Sequence, residues 1–309
     1  RKNSLIKIDA AISNNNFKLN IDTQFLDPPL FYYSYENKNN LDFAKKLNIL
    51  FKNSYPELQQ NFKLNNTKNK KIKIGFISEF FKNHTISKLF KGLICKLDNS
   101  LFDINVYYLD NNKSIDQEYF YNEKKKLLKT HKLPKSFNKK INFVLDHNLD
   151  IIFYPDIGFS TQLFYLTFMR LAKVQITSWG HPETTGNPNI DYFLSSKLLE
   201  EDLNIAQRHY SEKLLLCDHL PMYYLKPKIK RLEEQELASN NIYSCPQSLF
   251  KLHPDFDEII LKIFQNDKKA KIQLLKGKEK KFTNKIFNRL NKKMPNYMSN
   301  ITFVNSLTA

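Results

Sequence analysis

The chain has 309 residues, 41% of them hydrophobic and 14% aromatic, with 48 Lys+Arg against 31 Asp+Glu for a formal net charge of +17. That length and apolar content are enough to bury a real core and exclude a disordered chain. No apolar run approaches the roughly 18 residues of a membrane-spanning helix, and the first twenty residues lack the apolar core of a signal peptide, although a chain that opens on Arg1 leaves room for a removed targeting segment.

Residues 1–68 read as a mainly helical segment ending in a linker. "LDFAKKLNILFKNS" places Leu41, Phe43, Ala44, Leu47, Leu50 and Phe51 at helical spacing. The preceding "DTQFLDPPLFYYSYEN" is aromatic and proline-broken, so it cannot be one helix, and "KLNNTKNKK" is polar. From residue 69 the pattern becomes strand and helix in alternation. Strands are expected over 71–78, 102–110, 149–158, 173–180, 190–196 and 212–217. Helices are expected over 86–97, around 115–130, over 136–148 and 161–171, and across "KLLEEDLNIAQRHY". The near-continuous apolar "LDIIFYPDIG" is what a parallel strand covered on both faces requires. After a charged connection the alternation restarts at "NIYSC" and runs through three strands. The expected fold is α/β: a first domain over 69–225 and a second over 226–309, incomplete at its C-terminal end.

The lysine excess is scattered among asparagines and densest at 124–126, 139–140 and 262–293. It reads as solvated faces of an AT-rich composition. A nucleic-acid surface would need a recognisable motif, and none is present. Cys95, Cys217 and Cys245 lie far apart with no metal-ligand or redox spacing, as expected of reduced thiols in the cytoplasm.

In open α/β sheets ligands lie outside the carboxyl ends of the strands, and the unusual residues fall there repeatedly. Asn83, His84 and Thr85 follow the first strand, immediately before a helix. Asp156 and Gly158 follow "IIFYP". Gly180, His181, Pro182, Thr184, Thr185 and Gly186 form "GHPETTG", which holds two of the chain's six glycines, next to its only tryptophan. Gln247, Ser248 and Lys251 follow the first strand of the second domain. Each has a plainer reading: His84 as a helix cap, Asp156 as a turn residue, Lys251 as one solvated lysine among many. Glycine-rich phosphate loops, a GxSxG elbow and His/Cys metal clusters are absent from the sequence.

Taken together, "IGFISEFFKNHTISKLFKGLI", "YPDIGFSTQLFYLTFMRLAKVQITSWGHPETTGNPNIDYFLSS", "HYSEKLLLCDHLPMYYLKP" and "YSCPQSLFKLHPDFDEI" resemble the bacterial SPINDLY-like branch of the protein O-GlcNAc transferase family, glycosyltransferase family 41. The resemblance implies a GT-B fold, a pair of Rossmann-like domains with the active site in the cleft between them. It implies an inverting, metal-independent enzyme without cofactor that takes a UDP-sugar donor, N-acetylglucosamine by default, and a polypeptide Ser/Thr acceptor. Tetratricopeptide repeats often precede such regions. His84 would then lie beside sugar and acceptor as a candidate base, and Lys251 would contact the diphosphate, with Gln247 or Ser248 nearby. The other singled-out residues would line the cleft. Because the later strands of the second domain are not in the sequence, residues 1–309 alone are expected not to turn over. Protein O-fucosyltransferase, asparagine glucosyltransferase (from the likeness of "GHPETT" to that branch) and a non-catalytic binding module remain the alternatives.

Overall fold

The computed structural model describes residues 2–14, 18–24, 26–64, 69–109, 128–224 and 241–305. By contacts the chain divides into two compact units, Arg1–Ser34 with Lys38–Lys226, and Tyr35–Asn37 with Pro227–Ala309.

The first unit is built on a seven-stranded sheet in the order β3-β2-β1-β4-β5-β6-β7. The strands are β1 (Ile72–Ser78), β2 (Phe102–Leu109), β3 (Leu128–Leu133), β4 (Ile151–Tyr154), β5 (Val174–Thr177), β6 (Tyr192–Ser196) and β7 (Lys213–Cys217). Every pair is parallel. Parallel sheets need both faces covered, and two apolar layers do this. On one face α4 (Thr85–Lys96) sets Ile86, Phe90 and Ile94 against Phe76, Ile104 and Val106. On the other, Ile77, Tyr107 and Ile152 meet Ile141 and Val144 of α5 (Phe137–Asp146) and Leu163 and Phe164 of α6 (Thr161–Leu166).

The N-terminal helices join that second layer. They are α1 (Lys2–Ser13), the single turn α2 (Leu30–Tyr33) and α3 (Leu41–Ser54). Phe43, Leu47 and Phe51 of α3 belong to the same core as the sheet. Phe51 meets the Phe164 ring edge-on at 5.2 Å, and the buried hydroxyls of Tyr55 and Tyr165 bond at 3.0 Å. The helix-period apolar face of 41–54 is therefore spent on covering the sheet.

The helix expected around 115–130 falls mostly outside the described residues, and its last three residues are strand: Leu128–Leu133 is the edge strand β3. The reason is positional. An edge strand is half solvated, so "LKTHKL" needs apolar side chains only at its ends. A second correction concerns 197–210, where only α7 (Leu203–Ala206) and a 3-10 turn over Gln207–His209 are helical. Leu198 and Leu199 are exposed, at 67% and 60%, so the apolar periodicity there has no face to cover.

The second unit holds a three-stranded parallel sheet in the order β10-β9-β8. It comprises β8 (Ile242–Cys245), α8 (Phe256–Asn266), β9 (Lys271–Leu275), α9 (Lys280–Lys293) and β10 (Ile301–Val304). Its own core joins Ile260, Phe264, Leu274, Ile286 and Leu290.

Candidate active site

The strand order of the first unit reverses between β1 and β4, and at such a switch point two loops diverge to leave a crevice at the carboxyl ends. The β1 loop carries Glu79, Phe80 and His84. The β4 loop carries Asp156, Gly158, Phe159 and Ser160, and the β5 loop carries Gly180 and His181.

His84 is the N-cap of α4. Its Nδ1 accepts the backbone N–H of Ile86 at 3.2 Å, satisfying one of the donors a helix start leaves open. Phe80 stacks on the imidazole with centroids 4.5 Å apart, and Phe159 meets both rings edge-on, at 5.6 Å and 6.3 Å. Burial, then the charges of Lys82 and Lys88, hold the imidazole below its usual range, so it is neutral at pH 7. With Nδ1 accepting, the neutral ring carries its proton on Nε2, which makes His84 a hydrogen-bond donor. Asn83 and Thr85 beside it are exposed.

Asp156 is fully buried, and neither carboxyl oxygen makes a well-aligned hydrogen bond among the described residues. Burial raises its pKa to about 8; the Ser78 hydroxyl beside it opposes the rise and the charge of Glu79 adds to it. At neutral pH this is a carboxylic acid with one proton to donate. Ser160 donates its hydroxyl to Glu79 and accepts from the Leu163 N–H, tying the β1 loop to the start of α6.

His181 is 2% exposed, and burial lowers its pKa to about 4 despite the neighbouring backbone of Leu30 and Glu183. Its Nε2 has no well-aligned hydrogen bond. The ring lies against Gly158, where an added Cβ would stand 3.2 Å from it and where φ is +98°, so both space and backbone favour glycine. Phe31 of α2 reaches the same place, 4.2 Å from Phe159 and 6.3 Å from His181 by centroids.

The structure thus brings His84, Asp156, Gly158, Gly180 and His181 together, with exposed Pro182 on the rim. Thr184, Thr185 and Gly186 go elsewhere. Both threonine hydroxyls donate to the buried carboxylate of Glu212, as does the Thr185 N–H at 2.8 Å. Gly186 packs on the backbone of Ala44 in α3. This half of "GHPETTG" fixes the loop to the body of the unit. Gln247, Ser248 and Lys251 lie in the second unit, after β8 and across a 3-10 turn whose Leu249 is buried. Arg289 of α9 holds the end of that turn, donating to the Leu252 carbonyl at 3.0 Å and pairing with buried Asp257 at 2.8 Å.

Glu212, Phe31 and Phe80 escaped the sequence reading. Glu212 lies 27 and 28 residues beyond its two threonines, and Phe31 sits in the N-terminal segment, so only the fold unites them with the loop. Phe80 was visible in "EFFKNHT", four residues before His84. Among the described residues no three His, Cys, Asp or Glu side chains converge as metal ligands would, and no helix is long and apolar enough to cross a membrane.

A doubly wound parallel sheet with its polar residues at the switch point, followed by a second parallel α/β unit, defines a GT-B-type glycosyltransferase fold. The description "Glycosyl transferase family 41" matches residues 36–224, more than half of the chain, and the chain belongs to that family. It is 23% identical over 205 residues to an Arabidopsis thaliana protein named as a probable UDP-N-acetylglucosamine–peptide N-acetylglucosaminyltransferase SEC. That similarity covers 60% of this chain and 20% of the plant protein. A mutant O-GlcNAc transferase of Thermobaculum terrenum superposes with a TM-score of 0.67 at 14% identity, over 77% of this chain and 45% of that one. The chain therefore spans a fifth of the plant relative and under half of the bacterial one, and the structural likeness speaks for the fold.

Proposed function

We propose that this chain carries the transfer site of an inverting, metal-independent enzyme that moves N-acetylglucosamine from its UDP ester to Ser/Thr hydroxyls of cytoplasmic protein. What carries the reading is the meeting of His84, Asp156 and His181 at the switch point of a family-41 sheet. In the reaction the acceptor oxygen bonds to the anomeric carbon from the face opposite the diphosphate. The carbon–oxygen bond to the β-phosphate breaks with its electron pair on the phosphate, and the hydroxyl proton passes to water or to the leaving phosphate.

With its Nδ1 occupied, His84 favours the role of a donor over that of a base. His84 offers an Nε2–H at neutral pH, suited to a sugar or acceptor oxygen, while Asp156, protonated and fully buried, would support the loops from within. Lys251 would meet the charge growing on the leaving diphosphate, the role a metal plays elsewhere. The aromatic faces of Phe80 and Phe159 would exclude water and hold the sugar's C–H faces. The test is incubation of protein carrying this chain with UDP-N-acetylglucosamine and a Ser/Thr peptide, read by mass spectrometry. Alkali-labile product supports a hydroxyl acceptor, alkali-stable product an amide, and UDP-glucose or GDP-fucose as better donor would reassign the sugar.

A further inference from the structure

The candidate active site occupies the carboxyl ends of the strands. Near the amino-terminal ends of β1, β2 and β3 lies a separate cavity of about 460 Å³. Its wall is formed by Lys70, Lys71 and Lys73 on the way into β1, Phe102 and Asp103 at the start of β2, and Lys129 on β3. We propose that this cavity binds a small polyphosphate, an anion of two or three linked phosphoryl groups.

The charge balance comes first. Four ammonium groups and one carboxylate line the cavity, which leaves three positive charges. The one carboxylate, Asp103, is already paired with Lys129 at 2.8 Å. Asp150 nearby is engaged by Lys173 at 2.7 Å, by the Asn69 amide and by the Lys73 N–H. Lys71 and Lys73 each donate Nζ to a carbonyl, of Asn99 at 2.6 Å and of His147 at 3.3 Å. A carbonyl dipole holds an ammonium in place without cancelling its charge, and each ammonium keeps further N–H donors for a ligand. Side chains held in advance lose less freedom on binding.

Charge chooses the ligand class, and size admits it. The volume lies within the roughly 300–1,000 Å³ of small-molecule sites. One phosphate, with a charge of about −2, falls short of the three positive charges; a diphosphate or triphosphate carries more, and the volume has room for either. A concavity open to solvent on one side, with a carboxylate in its wall, differs from the continuous basic stripe that tracks a nucleic-acid backbone.

The test is calorimetric titration of the 309-residue chain with sodium tripolyphosphate at fixed ionic strength. One saturable site is expected, weakened at least tenfold in Lys71→Gln/Lys129→Gln. It should be unchanged in the charge-matched Lys268→Gln/Lys269→Gln, which lies on an exposed turn of the second unit, and in Lys251→Ala, which separates it from the donor site proposed above. In the unsubstituted chain, tripolyphosphate should protect Lys70, Lys71, Lys73 and Lys129 from acylation more than other lysines. Absence of saturable binding, equal weakening by both lysine pairs, loss with Lys251→Ala, uniform protection, or tighter binding of a single-stranded oligonucleotide at these lysines would each overturn the proposal.

Discussion

The Nδ1 atom of His84 accepts the backbone N–H of Ile86 at 3.2 Å, so the residue that opens α4 has its accepting nitrogen occupied. The cap reading and the site reading of this histidine are therefore both satisfied by one side chain. His84→Ala should cost about 1 kcal/mol of stability through the lost cap. His84→Asn, which can cap in its place, should stay within a few tenths of a kcal/mol of the parent. Both should lose sugar transfer. Urea unfolding and transfer assays on the two variants separate the roles.

Gly180 is the tightest point of the loop after β5. A Cβ there would stand 2.0 Å from the carbonyl oxygen of Pro155, so the β4 and β5 loops touch backbone to backbone. Gly180→Ala forces them apart and should destabilise by about 3 kcal/mol. Thermal unfolding measures the loss, and no change in melting temperature would contradict the contact.

Two buried groups give stability a pH dependence of opposite sign. His181 has a folded pKa of about 4 against its ordinary 6.5. Between these values the unfolded chain binds the extra proton, so its contribution is full above 6.5 and is lost as pH falls through 4. Asp156 has a folded pKa of about 8 against 3.8. Here the folded chain binds the extra proton, so its contribution is full below 3.8 and is lost as pH rises through 8. From pH 6.5 to pH 8 the Asp156 effect acts alone of the two and should remove about 2 kcal/mol. Urea midpoints should fall across that window in the parent and stay level in Asp156→Asn.

Glu212 anchors Thr184 and Thr185 from beneath. Glu212→Ala takes the buried acceptor from two hydroxyls and the Thr185 N–H and should cost about 2–3 kcal/mol, visible as a lower urea midpoint. Glu212→Gln, which keeps an accepting oxygen, should recover part of that loss.

The central strands were legible because a parallel strand covered on both faces must be apolar almost throughout, as "IGFIS" and "IIFY" are. The start of α4 was legible from "NHTISKLF". The edge strand β3 was not, because half-solvated strands carry no such run, and "KLLEEDL" mimicked a helix with leucines that the fold leaves exposed. At the site the sequence singled out the loops after β1, β4 and β5, which hold three of the chain's six glycines. It could not separate the half of "GHPETTG" that meets His84's surroundings from the half that grips Glu212. That division depends on partners far away in sequence.

The most direct measurement of the account is transfer from radiolabelled UDP-N-acetylglucosamine to a Ser/Thr peptide by protein carrying this chain. The parent should label the peptide through an alkali-labile bond, and Lys251→Ala and His84→Asn should fold normally yet fail to label it. Labelling undiminished in both variants, or no labelling from any nucleotide sugar by folded parent, would contradict it.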